Sequence, residues 1–240
     1  MAFKELEFAR HESVESMTPA RAMSEVWAER CASRSVDEKP VQMGLKRAMD
    51  IVLASIALWV LLPVLILIAI AIRLTSPGPA LFTQLRWGRN CEKIKVYKFR
   101  SMYADRGDQT GVVQTRAGDS RITPLGAVLR KTNLDELPQL INVLKGDMSL
   151  VGPRPHAIGM QAAGMLYEDL VPEYHKRHRV RPGITGLAQM RGLRGPTLLA
   201  SKSRARVAAD LFYVENYSLM LDIRILYRTL RDEAFGGSGF

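Results

Sequence analysis

The chain has 240 residues, 47% of them hydrophobic, with a formal charge of +10 and a pI near 9.9. Its length allows one ordinary domain plus extras, and its charge points to anionic partners: nucleic acid, anionic lipid headgroups or phosphorylated substrates. The two cysteines, Cys31 and Cys91, have no metal-ligand spacing and suggest no disulfide framework, which fits a reducing compartment.

Residues 1–44 are polar, with scattered charge and no sustained apolar period, and read as a poorly ordered tail with a short helix around Ala20–Ala32. The layout of a cleaved signal peptide is not found there. The composition then shifts abruptly. From Ile51 to Ile72 no residue is charged, and only Ser55 and Pro63 fall outside the apolar and aromatic set. Twenty-two helical residues span about 33 Å, enough to cross a hydrocarbon core of about 30 Å. Two features favour a hairpin over a straight span. Pro63 falls in the middle of the run, where proline breaks or kinks a helix. Positive charge flanks both ends: Lys39, Lys46 and Arg47 before, Arg73, Arg86, Arg89, Lys93, Lys95, Lys98 and Arg100 after. Positive flanks belong in the cytoplasm, so the residues predict a re-entrant helix over 45–75, broken near Pro63, that enters and leaves one leaflet.

Residues 76–240 read as a cytoplasmic domain. "SPGP" (76–79) stops the helix, and "ALFTQ" and "IKVYKF" predict short strands. Residues 104–121 are loop-like. Leu134, Leu137, Ile141 and Leu144 then recur at helical spacing as one buried face, with Asp135, Gln139 and Asn142 along another side. "GPRP" (152–155) and "VRPGITG" (180–186) each set an arginine, Arg154 and Arg181, in a rigid turn suited to phosphate recognition. Between Lys176 and Arg206 there are nine Lys or Arg and no acid. The last 35 residues place Leu211, Val214, Ile223, Leu226 and Leu230 at helical spacing among arginines, as an interfacial or core helix would. The predicted fold is an α-rich α+β arrangement: the membrane hairpin, then a small domain with few short strands and amphipathic interfacial helices.

The adjacent acids Asp135 and Glu136 admit two readings. Thr132 and Asp135 have the spacing of a capping box, and acids in a first helical turn suit the macrodipole. Alternatively, the pair is chemistry set in a basic domain.

"YKFRSM", "LDELPQLINVLKGDMSLVGPRP" and "VRPGITGLAQ", following "KRAMD" and the apolar run, resemble the bacterial sugar transferase family over about Lys46–Leu230. These are monotopic polyprenyl-phosphate phosphoglycosyl transferases that initiate exopolysaccharide, O-antigen and capsule assembly. The resemblance implies that Asp135 is a nucleophile toward the β-phosphate of a UDP-sugar, releasing UMP, and that the phosphosugar passes to undecaprenyl phosphate. It implies Mg²⁺ at Asp135 and Glu136, and assigns Arg130 and Arg154 to the diphosphate and nucleotide. Arg181 is a weaker candidate for that pocket; Asn142 and Asp147 would orient the site. Lys46, Arg47 and Asp50 match the family's Lys-Arg-x-x-Asp opening and would fix the hairpin, with Pro63 at its break. One position departs from the pattern: Leu62 precedes that proline where some members have Ser.

The resemblance further implies the cytoplasmic face of the bacterial inner membrane, an anionic leaflet as lipid partner, and downstream glycosyltransferases; a homodimer is left open. UDP-galactose or UDP-glucose is the expected donor, with galactose slightly ahead. A nucleic-acid module is disfavoured, since no helix-turn-helix, RRM or zinc spacing is present and such a module leaves Ile51–Ile72 unexplained. A non-catalytic membrane scaffold of the same fold, and an enzyme with another UDP-sugar donor, are the remaining alternatives.

Overall fold

A computed structural model describes residues 40–105, 115 and 118–236. The tail helix expected around Ala20–Ala32 lies outside them, as does Cys31. Cys91 is not a free thiol, against the expectation of no disulfide; separation along the chain sets no limit on approach in space.

Helix α1 spans Pro40–Thr75. Proline is tolerated at its first position because that amide has no helical partner anyway. The helix therefore begins within the expected tail. It also runs through Pro63 without an unwound turn, which corrects the expected helix-break-helix. Proline removes a single amide donor, and in an apolar stretch the neighbouring turns have no alternative to their own hydrogen bonds. Most of α1 is uncovered: only 6% of its most apolar window is buried, with Trp59 79% and Leu67 66% exposed. It is long and apolar enough to cross a membrane.

Strands β1 (Leu81–Trp87) and β2 (Lys93–Phe99) form an antiparallel hairpin, with Gln84 opposite Val96 and Phe82 opposite Lys98. Helix α2 (Pro124–Lys131) starts on a true cap, Thr123 Oγ1 accepting from the Gly126 amide. A tight 3-10 turn, Leu134–Glu136, leads into α3 (Gln139–Lys145) and β3 (Ser149–Val151). The small hairpin of β4 (Gln161–Ala162) and β5 (Met165–Leu166) precedes the short α4 (Tyr167–Leu170). Strand β6 (Gly183–Thr185) pairs parallel to β3. The short α5 (Leu187–Met190), then α6 (Ala200–Asn216) and α7 (Leu219–Gly236), complete the chain.

The principal core joins Val96, Val143, Met148, Val151, Tyr213 and Ile225, with Ala54 of α1 packed into it. The "KRAMD" residues clamp α1 there. Lys46 Nζ donates to the Val151 carbonyl at 2.9 Å and pairs with Asp222 at 2.6 Å. Arg47 donates to the Val143 and Leu144 carbonyls, closing the end of α3. Asp50 accepts from the Leu150 amide at 3.0 Å. At the other end of α1, Ile72 packs with Phe99 and Leu129, while the Arg100 guanidinium donates to the carbonyls of Ile72, Ser76 and Pro77.

Glycine decides how the "GPRP" and "RPGITG" segments meet. A Cβ on Gly183 would run into the Gly152 amide, and one on Gly186 into the Gly152 carbonyl. Two backbones thus lie directly against each other, and the loops on both sides of β3 and β6 are held at one fixed spacing.

Candidate active site

Asp135 and Glu136 do not open an α-helix. Thr132 ends α2, its hydroxyl turned back to the Val128 and Leu129 carbonyls, so the expected capping box is absent. Asn133 follows in the left-handed region, φ 54°, which Asn adopts more readily than most residues. The chain reverses there and drops the acidic pair into a tight turn whose fold aims both side chains inward. Asp135 is 7% exposed.

The two carboxylates have different surroundings. Glu136 is engaged on both oxygens: Arg154 donates through both terminal nitrogens, one at 2.8 Å to Oε2 and one to Oε1, and Lys98 Nζ lies 2.5 Å from Oε1. Burial alone would raise its pKa, but the Arg154 and Lys98 cations together outweigh burial and hold the carboxyl well below its usual range. Asp135 accepts no hydrogen bond among the described residues. Burial raises its pKa, Lys98 pulling the other way and Glu136 adding to the rise.

Asp135, Glu136, Lys98, Arg130, Arg154 and Arg86 all line one cavity of about 1860 Å³. Arg130 reaches Thr115 Oγ1 at 3.0 Å and Ser101 Oγ at 3.4 Å. Arg86 donates to the Pro155 carbonyl at 2.6 Å and steadies the "GPRP" turn that presents Arg154; burial, with Arg154 nearby, pushes its pKa down to about 10. A second bridge crosses the cavity rim. Asn133 Nδ2 lies 3.0 Å from both oxygens of Glu233, and Arg194 pairs with Glu233 at 2.9 Å. The C-terminal helix is thereby tied to the residue that sets the acidic turn.

Three expected site residues lie elsewhere. Asn142 is fully buried, accepting from the Tyr97 amide and donating to the Lys95 carbonyl and Asp147. Arg181 donates to the Gly146 carbonyl. Neither they nor Asp147 line the cavity. Each satisfies buried backbone or ties α3 to β2 and β6, a requirement that competes with any ligand role. Lys98 and Arg86, in contrast, belong to the site although the sequence reading gave them only to the membrane flank.

The residues fit a divalent cation of the hard, oxygen-binding kind. Asp135 offers unpaired carboxylate oxygens, and Glu136 could contribute by sharing an oxygen with its cations; such an ion needs only one or two carboxylates beside substrate phosphates. The cluster Cys91, His175 and His178, whose ligand atoms lie within 4.8 Å of one another, is a separate feature.

Residues 41–235 match the bacterial sugar transferase family. Among curated proteins, the chain is similar to the exopolysaccharide production protein PSS of Rhizobium leguminosarum bv. phaseoli, 62% identical over 200 residues, 83% of this chain and 100% of that protein. It is 48% identical over 185 residues to the UDP-glucose:undecaprenyl-phosphate glucose-1-phosphate transferase of Caulobacter vibrioides, covering 77% of this chain and 68% of that one. A protein of the same name from Escherichia coli is 50% identical over 186 residues, 78% of this chain and 39% of the relative.

Proposed function

The chain belongs to the bacterial sugar transferase family, and on that premise we propose that it moves glucose 1-phosphate from UDP-glucose to undecaprenyl phosphate through a covalent intermediate on Asp135. The names of the Caulobacter and Escherichia relatives favour glucose over the galactose first expected. The observation that carries the reading is the asymmetry of the acidic pair: Glu136 is clamped by two cations, while the neighbouring Asp135 is buried in the cavity with its carboxylate unclaimed.

In the first step an Asp135 oxygen attacks the β-phosphorus, the bond from that phosphorus to the bridging oxygen breaks, and UMP leaves. In the second, a phosphate oxygen of the lipid attacks the same phosphorus. The bond to Asp135 breaks, regenerating the carboxylate and giving the lipid-diphosphate sugar. Both steps bring anion to anion, so positioning and charge neutralisation dominate. Lys98, Arg130 and Arg154 supply positive charge around the dyad, and Glu136 holds two of them in place. Mg²⁺ bound at Asp135, with Glu136 beside it, would neutralise diphosphate charge. Lys98 opposes the rise in the Asp135 pKa that burial causes.

The two ends of α1 support a location. Ala54 and Ile72 lie about 27 Å apart along a straight helix, yet they pack into clusters that hold Val96 and Phe99, about 10 Å apart on one strand. One water-soluble domain cannot grip both ends from opposite sides of a bilayer. This supports an α1 whose two ends lie on one side of the bilayer, and the positive charge flanking both ends favours the cytoplasmic face of the inner membrane.

Incubating detergent-solubilised protein with UDP-glucose and Mg²⁺, without lipid, should release UMP and leave a hexose-phosphate adduct by intact mass. Asp135→Asn should yield neither. An Asp135→Asn protein that still turns over would defeat the assignment.

A further inference from the structure

The turn between β1 and β2 carries Cys91 to a pair of histidines outside the active site. His175 and His178 lie in a 3-10 segment, Tyr174–Arg179. Such a helix has about three residues per turn, so side chains at i and i+3 eclipse and share one face. The facing turn passes through Asn90 and Cys91, both left-handed at φ 53° and 58°, a conformation uncommon outside glycine. It sets Cys91 Sγ 3.4 Å from His178 Nδ1. One ligand atom from each of the three side chains lies within 4.8 Å of the others.

Protein hydrogen bonds do not account for His178. The ring is 5% exposed, and its Nε2 meets no hydrogen-bonding partner among the described residues. Its Nδ1 faces a sulfur, a weak partner. Buried polar atoms are normally satisfied, so the ring is placed for another purpose. A tetrahedral zinc ion, about 2.3 Å from sulfur and about 2.0–2.1 Å from nitrogen, holds those two atoms about 3.5 Å apart. That is close to the separation here.

We propose that Cys91, His175 and His178 form a site for one zinc-type divalent ion when Cys91 is reduced, with water in the fourth position. Cys91 is not a free thiol in this structure, so thiol chemistry gates the site. A dithiol reductant attacks the disulfide and ends as a disulfide itself, and the two protein sulfurs leave as thiols. The Cys91 thiol then gives up its proton as its sulfur binds the ion. Thiolate and imidazole select a borderline-soft metal, whereas the carboxylates of the dyad suit magnesium, so the two sites do not compete for one ion. Bound there, the ion would staple the hairpin that carries Arg86 and Lys98 to the segment leading into β6.

The test is cobalt(II) binding to the full chain in detergent, followed by absorption, with excess Mg²⁺ and a phosphine reductant. Reduced wild type should take up one cobalt per chain with the visible bands of a tetrahedral site and a sulfur-to-cobalt charge-transfer band, and zinc should remove both. Protein oxidised with diamide should show neither. Cys31→Ser alters no proposed ligand and leaves Cys91 no second cysteine to pair with, so it should bind cobalt without any reductant. Cys91→Ser should lose the charge-transfer band, and His178→Gln should weaken binding at least about tenfold. The wild-type redox comparison and Cys31→Ser leave the buried segment untouched, so they decide the matter even if His178→Gln does not fold. Absence of tetrahedral cobalt in reduced wild type or in Cys31→Ser overturns the proposal. So does a charge-transfer band that survives oxidation or Cys91→Ser, or a folded His178→Gln that binds as wild type does.

Discussion

Two neighbouring carboxylates receive opposite treatment, and this is where residue-level chemistry is decided. In the proposed mechanism Asp135 attacks only as the anion. Burial raises its pKa, so the reactive form is lost on acidification sooner than for an ordinary aspartate, and the donor-only rate should fall on the acid side. Lys98 opposes that shift. Lys98→Met should therefore move the acid limb of the pH–rate profile upward and lower the plateau rate about a hundredfold; an acid limb left where it was would show that Lys98 does not act on Asp135. Asn133 and Glu233 form a second residue-level pair. Glu233→Ala should cost on the order of tenfold to a hundredfold in kcat with little change in donor KM. Exchanging the two groups, Asn133→Asp with Glu233→Gln, should restore part of the rate, because an amide would again face a carboxylate although the ion pair with Arg194 is lost. Asp135, Glu136 and Arg154 were picked out in the sequence, and the fold brings them to one cavity. The place of Lys98 there was recoverable: in a strand, Lys98 shares its face with Val96, so a lysine pointing inward needs an anion. The bridge from Asn133 to Glu233 joins residues a hundred positions apart and left no local signal.

At the scale of elements, the sequence disclosed hairpins and helices but not what their polar residues were for. Arg181 sat in a turn that looked made for phosphate, yet the Gly146 carbonyl takes it. Asn142 looked like part of a polar stripe leading from Asp135, yet it stitches α3 to β2. Polarity marks a need for a partner without naming the partner, so neither contact could be read from the sequence. Likewise the Thr132–Asp135 spacing is that of a cap, while the left-handed Asn133 between them reverses the chain. The glycines of the two Arg-Pro turns explain themselves once β3 and β6 are paired. Gly183→Ala must push two backbones apart and should destabilise the domain by roughly 3 kcal/mol. Gly44, with nothing within 4 Å of its missing side chain, lies in α1, and Gly44→Ala should be neutral or stabilise by up to about 1 kcal/mol. Chemical denaturation in detergent distinguishes the two.

For the whole molecule, the membrane segment was the most legible feature and its course the least. Composition alone marks α1, but whether a long apolar helix crosses or returns depends on what grips its ends, which lies far away in sequence. Val41→Cys and Lys93→Cys, each in a background with Cys31 and Cys91 replaced by Ser, should both resist an impermeant maleimide applied outside intact cells and both react after lysis. Labelling of one and not the other from outside would mean a crossing helix. Lys98 and Arg100 add a consequence. The strand that supplies the clamp on Glu136 ends, two residues later, in the guanidinium that ties off the last turn of α1. Any lipid that shifts the last turn of α1 pulls on that guanidinium, and the first rigid object to feel the pull is the strand carrying the ammonium that clamps Glu136. The footing of the apolar helix and the charge on Glu136 are thus joined through three consecutive positions of the chain.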